Sequence, residues 1–315
     1  MEEASMKAKQ FSAKKLTRRV LVGTLLAFSS IAAACGSDSS TTTDSVAVDS
    51  TQVVSEAPQK IISLSATHTE ILFAVGAGEQ VIAVDSMSNY PAESAGVLTD
   101  LAAYEPSVEA ITAYEPDLVV IGDDFVGLAE QLTAVGIQSW VSSAPTTLDE
   151  AYAQIEDLGT VVGHGDEAIA LATSMKSEID AIIAQAPALD QPISFYHELD
   201  DMNYSVTSNT FIGSIYAALG LQNIADATQG DTDYPQLSAE FIVSQNPDMI
   251  FLSDTKLGVT AASVAARPGW EVLSAVQGGG IVELDDDVAS RWGPRLVEFV
   301  QVVSDGVDAY LKKIS

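Results

Sequence analysis

Three histidines, His68, His164 and His197, are the chain's only imidazoles, and Cys35 is its only thiol. An imidazole can hold a metal directly or ligate haem iron axially. His164 falls in a His-Gly-Asp turn ahead of a long helical pattern, away from the other two. A three-histidine metal site is therefore not expected, and no residue is assigned as a metal ligand. His68 and His197 remain as polar groups near strand ends, open to contact with a ligand. Tyr90, Tyr104, Tyr204 and Tyr234 stand in loop-like stretches. Phenol rings there give contact area at low entropic cost together with a polar edge, which suits a large, flat, amphiphilic ligand. Arg291 precedes Trp292 and follows Asp285, Asp286 and Asp287. It is expected to face a cleft and recognise an anion, the alternative being a pair with one of those aspartates. The chain has no G-x-S-x-G elbow, P-loop or H-E-x-x-H, and Gly278-Gly279-Gly280 reads as a turn before a strand. A binder is expected, with no catalytic residues and no resident cofactor; a secreted hydrolase and a ligand-free structural lipoprotein are the alternatives.

Such residues need a scaffold. Short Val- and Ile-rich runs predict strands at 60–65, 81–85, 118–122, 138–142, 193–197, 249–252 and 281–284. Helical patterns predict helices at 69–75, 108–113, 127–135, 148–162, 211–219 and 294–313. Apolar strands alternating with helices indicate parallel sheets covered on both faces, an α/β class. The stretch 166–186 has no Gly or Pro and carries Ile169, Ala172, Met175, Ile179, Ile182 and Ile183 at near-helical spacing. At 1.5 Å per residue it would be ~32 Å long, enough to bridge two lobes.

The halves on either side echo each other. Glu109-Ala110-Ile111 and Pro116-Asp117-Leu118-Val119-Val120-Ile121 match Glu240-Phe241-Ile242 and Pro247-Asp248-Met249-Ile250-Phe251-Leu252 at a constant spacing of 131 residues. A second echo pairs Ile71–Gly76 with Ile215–Gly220, each a helix ending at glycine. Two similar lobes joined by one long interlobe helix follow. The expected division is 1–34 leader, 35–56 tether, 57–163 N-terminal lobe, 164–188 interlobe helix and 189–315 C-terminal lobe.

The leader has a basic start and an apolar run from Val20 to Ala34, about 15 residues and too short to span a bilayer. Ala32-Ala33-Ala34-Cys35-Gly36 resembles a bacterial lipobox, which implies cleavage before Cys35 and lipidation of its thiol. Thr17-Arg18-Arg19-Val20-Leu21-Val22 resembles a twin-arginine signal, so export by Sec or Tat is open. Residues 36–55 are nearly all Ser, Thr, Asp, Val and Gly, a tether with little to bury. The leader holds six of the 14 basic and two of the 44 acidic residues, leaving 8 against 42 and a formal charge of −34. That excludes nucleic acid and anionic headgroups as partners, since both need a basic footprint. Contact with the membrane is expected through the lipid alone.

The region 60–313 resembles the iron-siderophore and cobalamin periplasmic binding proteins. Carriers of the likeness are Ile61-Ile62-Ser63-Leu64-Ser65, Thr69-Glu70-Ile71-Leu72-Phe73-Ala74-Val75-Gly76, Asn89-Tyr90-Pro91 and Tyr234-Pro235-Gln236-Leu237-Ser238-Ala239-Glu240. Arg267-Pro268-Gly269-Trp270 and Pro294-Arg295-Leu296 complete them. The resemblance implies a monomeric lipoprotein that captures a metal chelate, a ferric siderophore or cobalamin, and delivers it to the permease dimer of an ABC importer. Haem or a bare metal ion is the alternative cargo. It also implies that Glu109 and Glu240 dock onto the permease. The cleft is expected among Ser65–Thr69, Tyr90, Tyr104, His197–Asp201, Tyr204, Tyr234, Arg291 and Trp292, at the C-terminal ends of the strands. The chain's acidity favours a neutral or cationic chelate; an anion-binding Arg291 would favour the opposite.

Overall fold

The computed structural model describes residues 57–189, 191–228, 230 and 232–315. The leader, Cys35 and the tether lie outside the described residues. Eight strands form two four-stranded sheets. β1 (Ile61–Leu64), β2 (Val81–Val84), β3 (Leu118–Ile121) and β4 (Gln138–Val141) make the first, in the order β2-β1-β3-β4. β5 (Ile193–Glu198), β6 (Leu221–Asn223), β7 (Met249–Leu252) and β8 (Ile281–Glu283) make the second, in the order β6-β5-β7-β8. Every pairing is parallel. The central strands β1, β3 and β7 are buried at each residue, which is why their sequences are unbroken apolar runs rather than alternating ones.

The helices of the first half are α1 (Ala66–Ala74), α2 (Val108–Thr112), α3 (Leu128–Ala134) and α4 (Leu148–Val161). The long helix α5 (Gly165–Gln185) follows, and then α6 (Phe211–Ala218), α7 (Ala239–Gln245), α8 (Ala261–Ala265), α9 (Ser274–Gln277), α10 (Asp286–Ser290) and α11 (Leu296–Ile314). Helix α1 starts three residues earlier than expected because the Ser65 hydroxyl caps it, accepting from the His68 amide. Strand β6 was not expected; three residues, Leu-Gln-Asn, are too few to show a period.

Helix α5 packs against α4 and α11 through Ala168, Ala172, Met175 and Ile179. Ile169, expected on that stripe, is 52% exposed. The α4–α5 approach is close enough that a Cβ on Gly159 would lie 2.2 Å from the Ala168 Cβ, so this position accepts only glycine. One apolar core runs through residues of β1, α4, α5, β5, α6 and α11, and a smaller cluster lies on the far face of each sheet.

The 131-residue echo is structural. β3 and β7 occupy the same place in their sheets, and α2 and α7 are capped by Ser107 and Ser238, also 131 apart. Asp117 accepts from the amides of Gln59 and Lys60 at the start of β1; Asp248 accepts from the amide and hydroxyl of Ser194 at the start of β5. Glu115 and Asn246, again 131 apart, both turn the chain with positive φ, 52° and 48°.

Candidate ligand cleft

A cavity of about 470 Å³ opens where the loops leave the C-terminal ends of the first sheet. Its walls include Ser65, Met87, Tyr104 and Phe125 from the first half, with Asp287 and Trp292 from the second. Tyr104 and Phe125 are 75% and 72% exposed, so two large rings face open space. Two other cavities, beside Thr207–Asp233 and at the end of α5, share no lining residue with it, and a smaller one of about 250 Å³ beside Tyr152, Lys176 and Ser214 also joins the halves. Of the expected ligand residues, Tyr104, Arg291 and Trp292 line the 470 Å³ cavity.

Arg291 corrects an expectation. It is 6% exposed and fully engaged: Nη1 donates to Glu70 Oε1 (2.8 Å) and Asn89 Oδ1 (3.0 Å), and Nη2 to the Met87 carbonyl (3.1 Å). Nη2 also pairs with Asp287 at 2.8 Å. Arg295 donates to both oxygens of Glu70, at 2.6 and 3.1 Å, and lies 4.3 Å over the Tyr90 ring. Both Nη atoms of Arg291 are thus held by protein groups, in a network whose Glu70 is shared with Arg295 and whose Asp287 is shared with Lys256. The pairing with Asp287 was one of the two sequence readings; Glu70, 221 residues away, had no local signal. Tyr90 is thereby the stacking partner of Arg295 and does not line the cavity.

His68 and His197 are corrected too. Both are fully buried, because each ring is used inside the protein. His68 lies between the edges of Trp140 and Trp292, with Nδ1 2.8 Å from the Ser65 hydroxyl. Trp292 in turn donates its indole N–H to Gln154 at 2.9 Å and screens the histidine from the cavity. His197 points into the core, held by the Tyr216 hydroxyl at 2.8 Å and the Ser253 hydroxyl at 3.1 Å. The Ser253 hydroxyl also lies within donating distance of the Glu198 carbonyl, 3.0 Å away. Burial lowers the two pKa values to about 4 and about 3, keeping both rings neutral. His164 meets Gln80 at 3.1 Å, and no group of three or more potential metal-binding side chains comes together among the described residues.

Tyr204 is half-buried in a bridge with Gln236. Tyr234 is 49% exposed, and burial of its hydroxyl, then Asp233, then Asp123 raise its pKa. Glu109 and Glu240 are exposed in the first turns of α2 and α7, each two residues after its serine cap.

The sequence reading missed Phe125, Met87 and Asp123. They lie just beyond β3 and β2, where the strand-end rule places a ligand. Phe125, the aromatic in Gly122-Asp123-Asp124-Phe125-Val126-Gly127, was the available signal.

Comparison with known proteins agrees with this geometry. Across 262 residues the chain is 30% identical to an uncharacterized ABC transporter substrate-binding lipoprotein, YvrC, of Bacillus subtilis, covering 81% of each. It is 29% identical over 251 residues to a cobalamin-binding protein of Halobacterium salinarum, covering 76% of this chain and 67% of that one. The periplasmic haem-binding protein RhuT from Roseiflexus sp. RS-1 superposes with a TM-score of 0.72 at 26% identity, over 80% of this chain and 99% of that one. The family model described as periplasmic binding protein matches residues 61–288. A two-sheet α/β frame with an aromatic cavity at its strand ends suits such binders, and this chain belongs to the periplasmic binding protein family.

Proposed function

We propose that this protein is a solute-binding lipoprotein that captures a metal chelate in the 470 Å³ cavity and presents it to an ABC importer. The observation that carries the reading is the pair of exposed rings, Tyr104 and Phe125, facing Trp292 across an open cavity built from both halves. Exposed aromatics cost free energy in water and repay it only against an apolar ligand face. The names of the relatives support a tetrapyrrole-like cargo: cobalamin for the Halobacterium protein, haem for the Roseiflexus one. A ferric siderophore would instead pack its apolar arms against the same rings. In this reading the lobes are 57–163 and 189–315, bridged by 164–188. Cys35 carries the lipid after export by Sec or Tat, outside the cytoplasm, and the protein works as a monomer without a resident cofactor. Glu109 and Glu240 are the docking carboxylates. Their matched positions give a two-fold-like charge pair to a two-fold permease, a complementarity that steers encounter.

Fluorescence titration of the Cys35→Ser chain without its leader tests this. Trp292 lines the cavity and Trp140 lies behind it, whereas Trp270 is buried in the second half. Saturable quenching by cobalamin, a ferric siderophore or haem is expected, weakened about tenfold or more in Tyr104→Ala and Phe125→Ala. Absence of quenching by every chelate, with the protein folded, would overturn the proposal.

A further inference from the structure

We infer that the cleft selects its chelate by charge, accepting neutral or cationic complexes and rejecting anionic ones, with Asp123 as the main discriminating residue. The inference rests on the cavity being the ligand cleft, as proposed above, and deepens it.

The first observation is where the cations go. Beyond the leader the chain has eight Lys and Arg. Arg291 and Arg295 share Glu70, and Arg267 is held in a fork by Glu198 at 2.6 Å on each arm. Lys256 sits between Asp285 and Asp287. Lys60 pairs with Glu115, Lys176 with Asp149 and Lys312 with Asp308, while Lys313 donates to the Gly279 carbonyl. Of these eight only Arg291 lines the cavity, and its Nη atoms are already held by Glu70, Asn89, the Met87 carbonyl and Asp287. The second observation is what the cavity wall does present. Asp85, Asp123 and Asp287 line it. Asp287 is spent on Arg291 and Lys256, and Asp85 is buried and accepts from the Met87 amide at 2.9 Å. Asp123 is exposed and in no ion pair among the described residues.

An anionic chelate seated on Tyr104 and Phe125 would bring its charge to this carboxylate in a partly desolvated space, where like charges repel more strongly than in water. Haem meets a second obstacle. Its propionates find no counter-charge, and its iron finds neither histidine. A ring whose edge carries amides meets no such penalty, since amide N–H groups can donate to Asp123.

The test uses one ring at several charges: dicyanocobinamide (neutral), aquocobalamin (cationic) and cobyrinic acid heptacarboxylate (anionic), with haem alongside. Titration of the folded Cys35→Ser chain should rank the neutral and cationic corrinoids above the heptacarboxylate and haem by about tenfold or more. Asp123→Lys, an exposed change checked for an unaltered melting curve, should narrow or invert that ranking, and Asp123→Asn should narrow it partly. Equal or tighter binding of the anions by the wild-type protein would overturn charge selection while leaving chelate capture intact. An unchanged ranking in Asp123→Lys would overturn the role of Asp123. If no chelate of any charge binds, the cleft assignment fails and this inference with it.

Discussion

The two halves of the molecule share a frame down to single residues and differ at the ends of their strands. In the first half the loop after β3 opens: Asp123 is exposed and Phe125 faces the cavity. The equivalent position after β7 is Asp254, 131 residues on, and it is 1% exposed with neither carboxylate oxygen hydrogen-bonded among the described residues. The neighbouring strand end is closed by the Glu198–Arg267 fork, and Arg267 itself stacks 4.7 Å over Trp270. The first half therefore leaves its strand ends open, and the second fills its own with protein. What the halves share is what positions the strands, namely the serine caps and the Pro-Asp clamps. The loops beyond the strands are free to diverge because the sheet does not depend on them.

The polar closures give the largest test of this asymmetry. Glu70 joins the halves by pairing with both Arg291 and Arg295, whose side chains are 6% and 12% exposed. Glu70→Ala leaves two buried guanidiniums short of counter-charge and should cost about 3–5 kcal/mol in urea unfolding. Glu198→Ala strands only Arg267, whose side chain is 23% exposed, so a smaller loss of about 2–3 kcal/mol is expected. Equal losses would show that the joint between the halves is no more sealed than the closure within one.

Titration gives a second, intermediate test. His68 and His197 have folded pKa values of about 4 and about 3 against 6.5 unfolded, so the unfolded chain binds more protons in that window. Stability is complete above pH 6.5 and falls as the pH drops, by about 1.4 kcal/mol per unit for each ring. Asp254 acts in the opposite sense. Burial, then Glu198, raise its pKa from 3.8 to about 7, so its contribution is complete below 3.8 and is lost as the pH rises to 7. Between pH 5 and 6.5, Asp254→Asn should steepen the rise of stability with pH by about 1.4 kcal/mol per unit, and His197→Gln should flatten it by a similar amount. A slope unaltered by Asp254→Asn would mean that the two halves treat this aspartate alike.

The smallest effect concerns the paired left-handed turns. Asn246 accepts this backbone region readily, and its side chain also bonds Ser274 at both ends. Glu115 does not suit it, and its surface pair with Lys60 at 3.6 Å is worth little. Glu115→Gly should raise stability by about 0.5–1 kcal/mol in thermal unfolding. A loss instead would mean that Glu115 contributes something that its counterpart does not.

The frame was legible because its signals are local. Strands β3 and β7, helix α5 and the 131-residue echo follow from apolar runs, helical spacing and the Pro-Asp turns, each contained within about twenty residues of sequence. The placement of Tyr104 and Trp292 near a strand-end cavity came from the rule that parallel strands present their C-terminal ends to ligands. Strand β6 and the exact face of α5 were not legible, since three residues show no period and Ile169 and Ala168 are adjacent on the same turn.

The sequence by itself determined the α/β class, the paired halves, the long helix between them and the surplus of negative charge, because these depend on periodicity and composition. Tertiary structure alone decided which polar groups remain available. Arg291 looked free until Glu70 approached from 221 residues away, and His197 looked open until Tyr216 and Ser253 enclosed it. A side chain's chemistry depends on the partners and burial that folding brings to it, and those partners have no fixed spacing along the chain.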